Sequence, residues 1–167
     1  MTLWLVGMMG TGKTSAGRLA AERLGVEFVD VDDAVATEAG SSIAELWDRL
    51  GEPGFRRFET AVIKRVAGTE AVVSTGGGAV LEVANRRRMR DTGRIVWLRA
   101  ELAVLERRLE KAGDRPLLAG DPDRTANITR LLEERSGAYE DAADYEIDTS
   151  PMTVEEVAMR VEQLWTL

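Results

Sequence analysis

Residues 7 to 14 read Gly-Met-Met-Gly-Thr-Gly-Lys-Thr, and no other stretch limits the fold as strongly. They match G-x-x-x-x-G-K-[ST] at every fixed position, with Gly10 as an additional glycine. The apolar run "TLWLV" precedes them and "KTSAGRLAAERLG" follows, so the motif lies between an expected strand (2–6) and an expected helix (13–25). Glycines let backbone N–H groups turn inward around phosphate oxygens, and the helix N-terminus adds partial positive charge. Lys13 can reach the outer phosphates and the Thr14 hydroxyl can ligate Mg²⁺. We read a nucleoside triphosphate site, with Gly10, Thr11, Gly12, Lys13 and Thr14 as binding residues. The next residue, Ser15, lies beyond the motif and takes no assignment from it.

The rest of the chain continues the alternation. Strands are expected at 26–31, 71–75, 94–100 and 145–149. Helices are expected at 41–51 (opened by a serine cap), 53–68, 81–93, 101–113, 124–143 and 153–165. Such alternation predicts a parallel sheet covered on both faces, with ligands beyond the C-terminal strand ends. A second glycine run, Gly76-Gly77-Gly78 in "STGGGAV", falls at that same edge.

Composition then removes whole classes. With 167 residues, 44% hydrophobic and 31% charged, the chain suits one domain, 1–167. A net charge of −7 argues against a nucleic-acid or membrane surface. Lacking cysteine and histidine, it forms no disulfide and is a poor candidate for zinc or a histidine triad. The apolar start lacks a basic region, so it reads as strand and loop rather than signal peptide. A soluble, cytoplasmic monomer is expected.

Phosphate-loop proteins include switches, motors and small kinases. No D-x-x-G follows the third strand and no Asn-Lys pair could read guanine. A small kinase needs an acceptor pocket, carboxylates and positive charge over the transferred group. Asp30 and Asp32 in "FVDVDD" are two apart, so on a strand they would face one side. Asp33 reads as a helix cap. Arg56 and Glu59 in "GFRRFE" share a helix face, either as a simple ion pair or as an arginine held for an anionic substrate. Arg115 lies between Gly113 and Gly120, in a stretch that reads as a closing flap. Arg135 by position alone reads as a solvated helix charge.

Taken in order, "GMMGTGKT", "FVDVD", "GFRRFE", "STGGGA", "RPLLAG" and "EERSGAYE" resemble shikimate kinases, from Leu3 to about Asp148. The resemblance implies a three-layer α/β/α phosphate-loop kinase fold with five parallel strands, an acceptor region about 32–60 and a lid about 112–124. It implies ATP and Mg²⁺, and phosphorylation of the shikimate 3-hydroxyl in aromatic amino-acid biosynthesis. By matching position, Lys13, Asp32 and Arg115 would be catalytic, and Asp30 would hold the Mg²⁺ water shell beside Thr14. Asp32, Arg56, Gly77 and Arg135 would grip shikimate, with Trp47 and Phe55 as walls, and Arg108 would stack near adenine. The sequence departs from the family's usual pattern at Ala36, at Trp47 and in the non-basic "SPMT". A kinase for another polyol acid such as gluconate, and a non-catalytic ATP-binding regulator, are the alternatives.

Overall fold

Strand β1 (Thr2–Val6) is buried along its whole length, as expected for a strand covered on both faces. Its side chains alternate: Leu3 and Leu5 enter one apolar cluster, Trp4 and Val6 another. The computed structural model describes residues 1–111 and 123–167. After β1 come α1 (Lys13–Leu24), β2 (Glu27–Asp30), α2 (Val31–Ala39), α3 (Ile43–Val66), β3 (Ala71–Ser74), a 3₁₀ turn at Ala79–Leu81 and α4 (Val83–Thr92). They are followed by β4 (Gly93–Arg99), α5 (Leu102–Lys111), α6 (Arg124–Ala142), β5 (Tyr145–Asp148) and α7 (Val154–Trp165).

The five strands pair in the order β2-β3-β1-β4-β5, all parallel. One face packs under α1 and α7 through Ala16, Ala20, Val157 and Val161. The other packs under α2, α3, α4 and α6 through Val35, Val62, Met89 and Tyr139. A third cluster sits apart from the sheet. Met8 and Met9 of the glycine loop pack there on Leu105 and Leu109 of α5 and Ile128 and Leu131 of α6. No described helix is long and apolar enough to cross a membrane.

Two local expectations are corrected. The second strand ends at Asp30, which caps an additional helix, α2. Asp30 and Asp32 therefore do not share a strand face: Asp32 stands in the first turn of α2, and Asp30 rather than Asp33 is the cap. The helices expected at 41–51 and 53–68 are both present: they meet within α3 at Gly51, whose backbone (φ 64°, ψ −177°) is not helical. Ser42 and Glu45 form a capping box at its start, which confirms the serine cap. The expected lid, about 112–124, lies almost wholly outside the described residues.

Candidate active site

The loop after β1 turns on Gly7, Gly10 and Gly12, at φ 139°, 84° and 93°. A side chain at Gly7 would also meet the Leu98 carbonyl at 2.1 Å, so strain and close approach both require glycine there. Gly12 precedes the first turn of α1 with no side-chain cap, which leaves that helix terminus open to an anion. Lys13 is buried, and its Nζ donates to the Gly7 and Met8 carbonyls at 2.8 and 3.0 Å. The lysine is thus folded along the loop that it would serve.

Beside the loop, Thr14 Oγ1 donates to Asp30 Oδ2 at 2.7 Å and lies 3.4 Å from Ser74 Oγ. The strand register explains the meeting, because Ser74 stands opposite both Asp30 and Leu5. Asp30 Oδ1 accepts from the Asp32 N–H at 3.0 Å, so one carboxylate caps α2 and faces Thr14. No cluster of three or more potential metal-ligating side chains occurs among the described residues. Mg²⁺ commonly takes only one or two protein oxygens and fills its shell with water and substrate phosphates. The Thr14–Asp30 pair beside a phosphate loop fits that ion.

Across the cleft, Arg56 Nη1 donates to Glu59 Oε2 at 2.8 Å, while Nε and Nη2 donate to Glu52 Oε1 at 3.2 and 2.9 Å. Burial opposes the Arg56 charge, but Glu59 and Glu52 outweigh it and hold the guanidinium above its usual range. Glu59 is fully buried. Burial pushes its carboxyl up, against the opposing pull of Arg56. Its Oε1 has no hydrogen-bond partner among the described residues.

Arg135 is only 4% exposed, against the solvated charge expected from its position. Among the described residues it has no ion-pair partner. Nη1 touches the Met8 sulfur at 4.0 Å, and Nε has no partner. The Tyr139 hydroxyl meets it and Glu59 attracts it from farther off, but a buried cation without a close carboxylate remains costly until an anion joins it.

The triglycine gives each of these charges room. A methyl group on Gly76 would stand 2.5 Å from Glu59 Oε1 and 2.9 Å from Asp32 Oδ1. On Gly77 it would lie 3.0 Å from Arg135 Nη1, and on Gly78 2.2 Å from Arg56 Nη2. The sequence suggests that space for a substrate alone; the site's own charged side chains occupy much of it.

One cavity of about 410 Å³ brings the candidates together: Gly10, Thr11, Gly12, Lys13, Thr14, Asp30, Asp32, Arg56, Gly77, Arg108 and Arg135 all line it. Ser15, to which the motif assigns nothing, lines it as well, on the first turn of α1. Arg115 lies outside the described residues. Trp47 and Phe55 form a wall, with ring centroids 5.1 Å apart. Arg108 spans the far end, donating to the Gly10 carbonyl at 3.2 Å, Thr149 Oγ1 at 3.1 Å and the Thr149 carbonyl at 2.8 Å. Burial, and then Arg107 nearby, holds its pKa below the usual value. Sequence reasoning missed Ser74, Thr149 and Tyr139. Thr149 and Arg108 are 41 residues apart, which no local pattern reveals. Tyr139 had a signal, since it lies one helical turn beyond Arg135.

A family model described as shikimate kinase matches residues 9–165. The shikimate kinase of Symbiobacterium thermophilum is 43% identical, over 96% of this chain and 94% of that protein. That of Caldanaerobacter subterraneus subsp. tengcongensis is 45% identical, over 94% of this chain and 91% of that protein. Among solved structures, shikimate kinase from Acinetobacter baumannii in complex with shikimate superposes with a TM-score of 0.92 at 34% identity, covering 99% of this chain and 92% of that chain. A gluconokinase from Sinorhizobium meliloti reaches 0.65 at 18% identity, over 99% of this chain and 91% of that chain, a likeness of fold alone. The chain therefore belongs to the shikimate kinase family.

Proposed function

We propose that this chain transfers the γ-phosphoryl group of ATP to the 3-hydroxyl of shikimate, giving shikimate 3-phosphate and ADP, a step of aromatic amino-acid biosynthesis. The observation that carries the acceptor half of this reading is Arg135. It is a buried guanidinium without an ion-pair partner among the described residues, set in the same cavity as the phosphate loop. A small acid with one carboxylate supplies what that cation lacks.

In this reading the open N-terminus of α1 and Lys13 hold the triphosphate. Arg56 and Arg135 clamp the shikimate carboxylate, Glu59 holds Arg56 in place, and the Gly77 amide meets a ring oxygen. Trp47 and Phe55 bound the ring. Asp32 orients the attacking hydroxyl and takes its proton as the new O–P bond forms. Thr14 and Asp30 would hold Mg²⁺, which when bound neutralises charge on the phosphates. Arg108 lies toward the adenine end. Arg115 closes over the transferred group, and its loss should lower kcat by ~10³-fold. Residues 1–167 act as one kinase domain, with acceptor region about 32–60 and lid about 112–124. The described side chains invoked all come from one chain, so a monomer suffices.

A coupled assay for ADP release tests the reading with three samples: shikimate, gluconate and no acceptor. ADP release that requires shikimate is expected. Turnover with gluconate alone would mark a kinase for another polyol acid, and no turnover with either would mark a binding protein.

A further inference from the structure

Every carbonyl in the triglycine turn is taken. The Gly76 oxygen accepts from the Ala79 N–H at 3.1 Å and the Gly78 oxygen from the Leu81 N–H at 3.0 Å. The Gly77 oxygen accepts from the Tyr139 hydroxyl. Among the described residues, none of the three glycine N–H groups donates to a protein acceptor, and all three glycines line the cavity. The turn closes two of its carbonyls by itself. The third depends on a side chain 62 residues away.

We propose that Tyr139 is a positioning residue for the acceptor, whose hydroxyl latches the Gly77–Gly78 peptide so that this turn presents N–H groups, not a carbonyl, to the cleft. The proposal rests on the acceptor site described under the proposed function. A peptide between two glycines rotates more freely than any other, because neither flank carries a Cβ. Rotated, it would withdraw the Gly78 N–H, which adjoins the Gly77 amide assigned to the acceptor, and would aim the Gly77 oxygen at the oxygens of a bound acid. Two acceptors would then face each other with no proton between them.

The latch is itself held firmly. Tyr139 is 1% exposed, and its ring stacks on Trp97 with centroids 5.8 Å apart and planes 22° apart. Burial pushes its phenol up to about 12, so it keeps its proton and keeps donating at neutral pH. Arg135 lies one turn earlier on α6 and, like Tyr139, is buried. A single helix thereby sets both the cation for the carboxylate and the orientation of the peptide beside it.

Tyr139→Phe keeps the ring and its stacking and removes the hydroxyl, which donates to the Gly77 carbonyl and also meets the Arg135 guanidinium. Losing one hydrogen bond of this kind should raise the KM for shikimate roughly threefold to tenfold, with kcat and the KM for ATP unchanged. In the free enzyme, with ¹⁵N-glycine labelling, the Gly77 and Gly78 amide signals should shift or broaden in the variant. Unmoved glycine signals would overturn the proposal whatever the shikimate KM does, because a rise in KM alone also follows from disturbing Arg135. So would a parallel rise in both KM values with a fall in Tm, which marks a merely structural tyrosine. If the wild type turns over no shikimate, the proposed function fails by itself, and the glycine signals still decide on the latch.

Discussion

The guanidinium of Arg56 is packed against the Cα of Gly78, so closely that a methyl group there would stand 2.2 Å from Nη2 and 2.7 Å from Cζ. Gly78→Ala should push Arg56 away from Glu59 and Glu52, raising the shikimate KM at least about tenfold, the worth of one charge-assisted hydrogen bond. Gly77→Ala meets Arg135 Nη1 at 3.0 Å, a shortfall of a few tenths of an ångström, and should cost less. Steady-state kinetics with each substrate varied in turn would check the ranking, and the KM for ATP should hold in Gly78→Ala. Equal effects of the two substitutions would contradict the close packing of Arg56.

Arg135→Ala removes a carboxylate partner and a buried charge together. The first effect is worth about 1.5–3 kcal/mol, hence a rise of roughly tenfold to a hundredfold in the shikimate KM. The second should keep any fall in Tm small, because the substitution removes a buried cation that forms no close ion pair among the described residues and feels Glu59 only from farther off. Calorimetry beside kinetics would separate the two. A variant that unfolds early while keeping its shikimate affinity would show that Arg135 supports the fold instead.

Asp30 both caps α2 and faces Thr14. Asn is nearly as good a cap as Asp, so Asp30→Asn should retain Tm. It loses the negative charge beside the Thr14 hydroxyl, so half-maximal activity should require more Mg²⁺. A Mg²⁺ titration at saturating ATP would register the shift. If the Mg²⁺ requirement stays at the wild-type level, Asp30 is a cap and nothing more.

Burial raises the Glu59 carboxyl above its ordinary 4.5. The folded protein therefore holds this proton more tightly than the unfolded chain does. Between 4.5 and the raised value it carries the extra proton, so this contribution to stability is present at low pH and fades as pH rises. Glu59→Gln cannot titrate. Its Tm relative to wild type should climb as pH is raised from about 4.5 through that interval. Melting curves at several pH values are the check, and a relative Tm that falls over the same range would reverse the assigned sign.

Contiguity separates what the sequence made legible from what it concealed. The phosphate loop is local: each role sits within Gly7–Thr14, and strand, glycines and helix all read in order. The aspartates were harder. "FVDVDD" alternates as a strand should, yet the Asp30 carboxylate accepts the N–H of Asp32 and so ends β2 and opens α2. Arg135 shows the limit most plainly. Its helix was legible, but its burial comes from α6 folding over a turn some sixty residues earlier in the chain. Missing side chains at Gly76, Gly77 and Gly78 could be read from the sequence, whereas the charges filling that space could not.

Gly77 also touches the other half of the cleft. A methyl group built on it would lie 3.0 Å from Arg135 Nη1 and 3.6 Å from the Gly7 carbonyl of the phosphate loop. The phosphate loop and the acceptor turn thus lie side by side in one cavity. A single inhibitor joining a carboxylated ring to a short phosphate mimic would need little linker to fill both, and would gain from each end as a bivalent ligand does.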